Sequence, residues 1–182
     1  MSCLGRIKNK HSLKMKPFQN IIQIVNSFHE LGQTISAAEF LVDQYDLRHP
    51  NFKGFELREP AKPDFILFTT EGIFGEKQII KIPENTFEFP LDLMLTLLAH
   101  EMVHVGQKQT GSIIKDKNER EWQAYYEMLF HEIYPKIPEV SLAQKQFFAK
   151  KALEYYDRMG ENSELQYVYQ LQKNKVEKLL LL

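Results

Sequence analysis

The stretch 91–109, LDLMLTLLAHEMVHVGQKQ, constrains this chain more than any other. It predicts a helix with apolar residues on nearly every face, with Pro90 suited to its first turn and Gly111 just past its end. Such a helix belongs inside a core or a membrane, and this one falls short of the roughly 18 uninterrupted apolar residues that a membrane span needs. The rest of the fold must therefore be built around it. Inside it lie His100, Glu101 and His104, in the order HExxH.

Helical residues are about 100° apart, so a four-residue step puts both imidazoles on one face, one turn apart. That spacing lets two nitrogens converge on one Zn²⁺ at about 2.0–2.1 Å. Glu101 points to the side of the same site, where its carboxylate can take a proton from an attacking water as general base. The competing reading is a buried helix with two hydrogen-bonded histidines. Burying three such groups without partners costs several kcal/mol, which favours a metal site with one ion per chain.

The remaining elements read as follows. Apolar residues at helical spacing predict a helix over 18–31, ended by Gly32, and a second over 34–45, capped by Thr34. The stretch 49–63 carries Pro50, Pro60 and Pro63 and reads as irregular. FILFTT (65–70) and KQIIKI (77–82) read as a hairpin or as neighbouring antiparallel strands. After the HExxH helix come predicted helices over 118–134, 141–159 and from 163 to the end. Helices, a small antiparallel sheet, then helices make an α+β domain that is mostly helical.

Length and composition agree with one domain over 1–182: 182 residues with 43% hydrophobic and 12% aromatic content are enough for a sizeable core. A net charge of −1 argues against global attraction to nucleic acid or anionic membranes, which leaves Arg6, Lys8, Lys10, Lys14 and Lys16 as one basic arm over residues 1–16. With no apolar signal region, no membrane span and a single cysteine, Cys3, the expected location is cytoplasmic. The oligomeric state is open. Phe147, Phe148, Tyr155 and Tyr156 read as core rather than as a base-stacking platform, and the terminal LLLL packs either on the core or on a partner subunit.

A catalytic zinc site ordinarily has three protein ligands. The segment KNEREWQAYYEMLFHEIY supplies Glu119, Glu121, Glu127, His131 and Glu132 on the next predicted helix. HEMVH followed by EREWQAYYE resembles the gluzincin class of zinc metallopeptidases, and the resemblance covers roughly residues 91–134. It implies a compact zincin-like domain in which EWQAY stands for a Glu-x-x-Ala-Asp form, with Glu121 as third ligand seventeen residues after His104 and Tyr125 in place of the aspartate. Glu119 and His131 are the other ligand candidates.

The resulting expectation is a zinc-dependent hydrolase acting on peptide or protein substrates, with His100, His104 and Glu121 on Zn²⁺ and Glu101 as general base. KQIIKI is the candidate strand for holding a substrate peptide. Tyr125, Tyr126, Tyr134 and Tyr155 are candidates for stabilising an oxyanion. Two alternatives stand beside it. One is a non-catalytic zinc module with a closed four-ligand site including His131, which would fix the fold or dock a partner. The other is a DNA-associated protease resembling the SprT-like class and using the basic arm.

Overall fold

A computed structural model describes residues 16–182. Two helices open it, α1 (Phe18–Glu30) and α2 (Thr34–Gln44), followed by strands β1 (Phe52–Arg58), β2 (Thr69–Glu71) and β3 (Gln78–Pro83). A 3₁₀ turn, Thr86–Glu88, leads into α3 (Leu91–Gln107), and α4 (Lys117–Phe130), α5 (Leu142–Arg158) and α6 (Glu164–Leu179) complete the chain. The α+β class read from the sequence is the class observed. Among the described residues no helix is long and apolar enough to cross a membrane. Lys16 apart, the basic arm lies outside the described residues.

The sheet corrects one expectation. FILFTT contributes only Thr69 and Thr70 to β2, which pairs antiparallel with β3 as read, but β1 joins the other side of β3 in parallel, so the sheet is mixed with order β1-β3-β2. β1 lies in the stretch read as irregular. Its register shifts between Phe52 and Gly54, where Gly54 has φ 150°, and this bulge brings Phe52 and Phe55 both to the buried side. A three-residue step between inward side chains hides the two-residue period by which strands are recognised.

Smaller departures have local causes. Gln33, not Thr34, is the N-cap of α2; the Thr34 hydroxyl instead donates to the Glu84 carbonyl at 2.7 Å and ties α2 to the end of β3. α4 stops at Phe130 rather than near 134. There His131 turns into the left-handed region at φ 47°, and the Glu127 carboxylate accepts from the Ile133 and Tyr134 amides at 2.9 and 2.8 Å. A buried acid of the last turn thus captures the chain that leaves the helix. At the N-terminus of α5, Ser141 and Gln144 form a reciprocal capping box.

Side chains bury into two clusters. The first gathers α1, α2, the sheet and α3 through Ile21, Leu41, Leu47, Ile80, Ile82 and Leu98, all fully buried. The second joins α4, α5 and α6 through Trp122, Tyr126, Met128, Phe148, Tyr156 and Val176. Leu93 and Leu97 of α3 touch both clusters, so α3 is the seam. Of the terminal leucines, Leu179 and Leu180 pack on the second cluster, while Leu181 and Leu182 are exposed.

Candidate metal centre

α3 packs against both clusters, and a cleft between α3, α4 and the 67–70 segment borders its polar residues His100, Glu101 and His104. His100, Glu101 and His104 are all buried there, each less than a tenth exposed. The Nε2 atoms of the two histidines stand 3.1 Å apart, and Glu121 Oε2, from the second turn of α4, is 3.7 Å from each. Donors about 2.0–2.1 Å from one tetrahedrally coordinated ion lie roughly 3.3 Å from one another, and the observed spacings bracket that value. Among the described residues no other group of three such side chains meets the same geometry. Two imidazole nitrogens and a carboxylate oxygen are a donor set suited to Zn²⁺.

The electrostatics of the three groups fit a cation between them. Burial, then the neighbouring His104, hold the His100 ring down at about 3, which keeps it neutral. Burial opposes a charge on His104 too, but the facing Glu121 carboxylate, Glu101 and Gln107 outweigh it and raise its pKa. Burial also opposes ionisation of Glu121, yet His104 and His100 hold it below the usual carboxylate range. The Glu121 carboxylate thus favours positive charge at this point, which a cation between the donors can supply.

Residues behind the donors set their orientation. His104 Nδ1 meets Gln107 Oε1 at 2.8 Å, and Gln107 Nε2 donates to the Arg120 carbonyl and to Gln123 Oε1, both at 3.0 Å, so one glutamine links the histidine to α4. His100 Nδ1 faces Met128 Sδ at 3.1 Å, and Tyr125 packs edge-on against the His100 ring with centroids 4.9 Å apart. Tyr125, in the place of the expected aspartate, braces the first histidine with a ring, and it stacks in turn on Tyr155 at 5.7 Å.

Glu101 is held from the sheet. The Thr70 hydroxyl donates to Glu101 Oε2 at 2.7 Å, and Lys108 Nζ donates to the Thr70 carbonyl at 2.7 Å. Burial raises the Glu101 carboxyl above its ordinary range, against the opposing pull of His104 and the Thr70 hydrogen bond. That is the direction a general base working near neutrality requires.

The other candidates separate cleanly. Glu119 accepts from the Tyr169 hydroxyl at 2.7 Å and is engaged with α6. His131 sits past the far end of α4, where Lys145 and Glu139 are its charged neighbours, so it is outside the donor trio and no four-ligand site with it is formed. Tyr125 and Tyr155 line the cleft of about 330 Å³ around the donors. Tyr126 bonds Glu132 instead, and Tyr134 lies in the first cluster. KQIIKI cannot offer a free edge: as β3 it is the central strand, bonded on both sides, and the edge that reaches the cleft is β2.

The sequence reading missed Thr70, Gln107, Lys108 and Met128. Gln107 had a signal, since it follows His104 by three residues on the same face of one helix. Thr70 had none. A larger cavity of about 660 Å³ beside Asp46, His49 and Phe52 lies away from the donors, and its Arg48 is already paired with Asp43 and Glu39.

No protein-family model, curated protein or solved structure matches this chain.

Proposed function

We propose that this chain is a zinc-dependent peptidase. The observation that carries the reading is the convergence of His100, His104 and Glu121 at the floor of an open cleft, with the raised Glu101 carboxyl beside them on the same helix. His100, His104 and Glu121 would hold the ion. When bound, Zn²⁺ supplies Lewis acidity that brings the ionisation of water near neutral pH.

The chain's own residues account for the rest. Glu101, aligned by Thr70, takes the proton from the attacking water and passes it to the leaving amine. The burial of His100, Glu101 and His104 weakens the screening of these charges by water. Tyr125 and Tyr155 lie within the cleft, where a phenol can donate to the developing oxyanion. A strand such as β2, paired on one side only and lining the cleft, can hold an extended peptide by main-chain hydrogen bonds.

Glu101→Gln tests this reading, because it keeps the shape and the metal donors but removes the base. The zinc-loaded variant is expected to retain its ion and lose about 10²-fold or more in hydrolysis of casein-derived peptides. Full activity in the variant with zinc still bound would refute the assignment.

A further inference from the structure

Two compartments of opposite character, one of them the metal cleft itself, share Leu67, Phe68, His100, Glu101 and Tyr125. One is apolar, about 530 Å³, walled by Phe65, Leu93, Leu97, Met128, Phe147 and Phe148. Charges at its rim offer nothing to an anion: Asp64 is itself an acid, and Lys151 is paired with Glu154 at 3.0 Å. The other carries Lys108, Lys117 and Arg120.

Among the described residues these three cations carry no compensating carboxylate of their own. Lys81, Lys145 and Lys151 each meet a carboxylate within 4.0 Å, whereas among the described residues none of Lys108, Lys117 and Arg120 does. Two are fixed in place by neutral groups. Lys108 donates to the Thr70 carbonyl, and Arg120 donates to the Ile114 and Lys115 carbonyls with its guanidinium over the Phe74 ring. Lys117, in the first turn of α4, is exposed. Three cations thus outnumber the two carboxylates of this compartment, Glu101 and Glu121, and a bound divalent ion adds to the surplus.

On the reading of the site as a peptidase, we propose that its substrates are peptide segments with a bulky apolar side chain on one side of the scissile bond and an acidic side chain on the other. The apolar side chain fills the compartment between the 64–68 segment and α5. The acidic side chain lies against Lys117 and Arg120. Exchanging the two is unfavourable in both directions: an acid in the apolar compartment loses its hydration and faces Asp64, and an apolar side chain among the cations gains no burial.

The test uses the full chain loaded with zinc and a fluorogenic peptide library with amidated C-termini, so that only side chains supply carboxylates. Cleavage is expected to select Asp or Glu on one side and Phe, Leu or Met on the other, each by about tenfold or more. Anisotropy with zinc-loaded Glu101→Gln gives a readout independent of turnover. A selected peptide should bind about tenfold tighter than its versions with Gln for the acid or Ser for the apolar residue, and the acid preference should shrink in high salt. Lys117→Glu should remove the preference for the acid while that for the apolar residue persists, and Phe147→Asp should do the converse; both positions are exposed.

Cleavage without these preferences, or an acid preference that survives Lys117→Glu, overturns the proposal and leaves the peptidase reading standing. Selective binding without any cleavage overturns the peptidase reading and leaves only the two-compartment binding preference standing.

Discussion

The two halves that meet at α3 are built from different materials. Around α1, α2 and the sheet the core is mainly aliphatic, and Ile21, Leu41, Leu47, Ile80, Ile82 and Leu98 are completely buried. Around α4, α5 and α6 aromatic side chains with polar ends take a larger share: the Tyr156 hydroxyl donates to the Gln166 carbonyl at 2.8 Å, and Tyr169 is engaged with Glu119 and Gln123. The candidate metal centre takes two donors from the seam helix, which is rooted in the first half, and one donor from the second. Its integrity therefore reports how well two separately packed units are docked, which a core substitution in either one alone does not.

The largest expected effect breaks that junction from each side. His104→Ala and Glu121→Ala should both reduce zinc from about one ion per chain to near none by elemental analysis, although they belong to different helices. Glu119→Ala, whose carboxylate serves Tyr169, should keep its ion. Retention of zinc in the Glu121 variant together with its loss in the Glu119 variant would move the third donor.

A smaller effect sharpens the comparison at the bridge itself. Gln107 spans the seam, holding His104 on one side and the Arg120 carbonyl and Gln123 on the other. Gln107→Ala is expected to weaken zinc by about 10–100-fold in a chelator competition while leaving the donors in place. An unchanged affinity would mean that packing alone orients His104.

The smallest effect lies in the first half and should be independent of metal. His49 Nδ1 accepts from the Asn51 amide at 3.1 Å, and Asn51 Nδ2 donates to the Val105 carbonyl of α3 at 3.0 Å. Burial lowers the His49 pKa, so the folded protein favours the neutral ring. Its contribution to stability is therefore present above the unfolded value of about 6.5 and is lost as the pH falls below it. Urea titrations of the metal-free protein at pH 7 and pH 5 should show this loss in the wild type and a smaller one in His49→Gln.

Much of this architecture is legible along the chain because its causes are local. Helical spacing, Gly32, Pro90 and Ser141 mark elements that form close to where they were expected, and the HExxH order fixes three site residues on one helix turn. β1 was hidden by a bulge that disrupts its alternation, and its parallel partner lies beyond an intervening strand, where no turn residue can announce the pairing. Glu121 and Glu119 are two residues apart on one helix, and periodicity does not say which of them faces α3. The support of Glu101 by Thr70 joins residues thirty-one apart from different elements and left no trace in either local pattern.

By itself, then, the sequence determined the class of the domain, the buried helix at its centre and the two imidazoles and carboxylate carried on that helix, since these follow from the 3.6-residue period and from the cost of exposing so apolar a surface. The resemblance named Glu121 and the tertiary structure brings it to the two imidazoles; the structure alone decided which strand edge borders the cleft and how an apolar and a cationic compartment come to share one corner. Those depend on how α4, β2 and α5 are set against α3, and such docking is governed by the shapes of packed side chains distant in the chain rather than by any pattern within one segment.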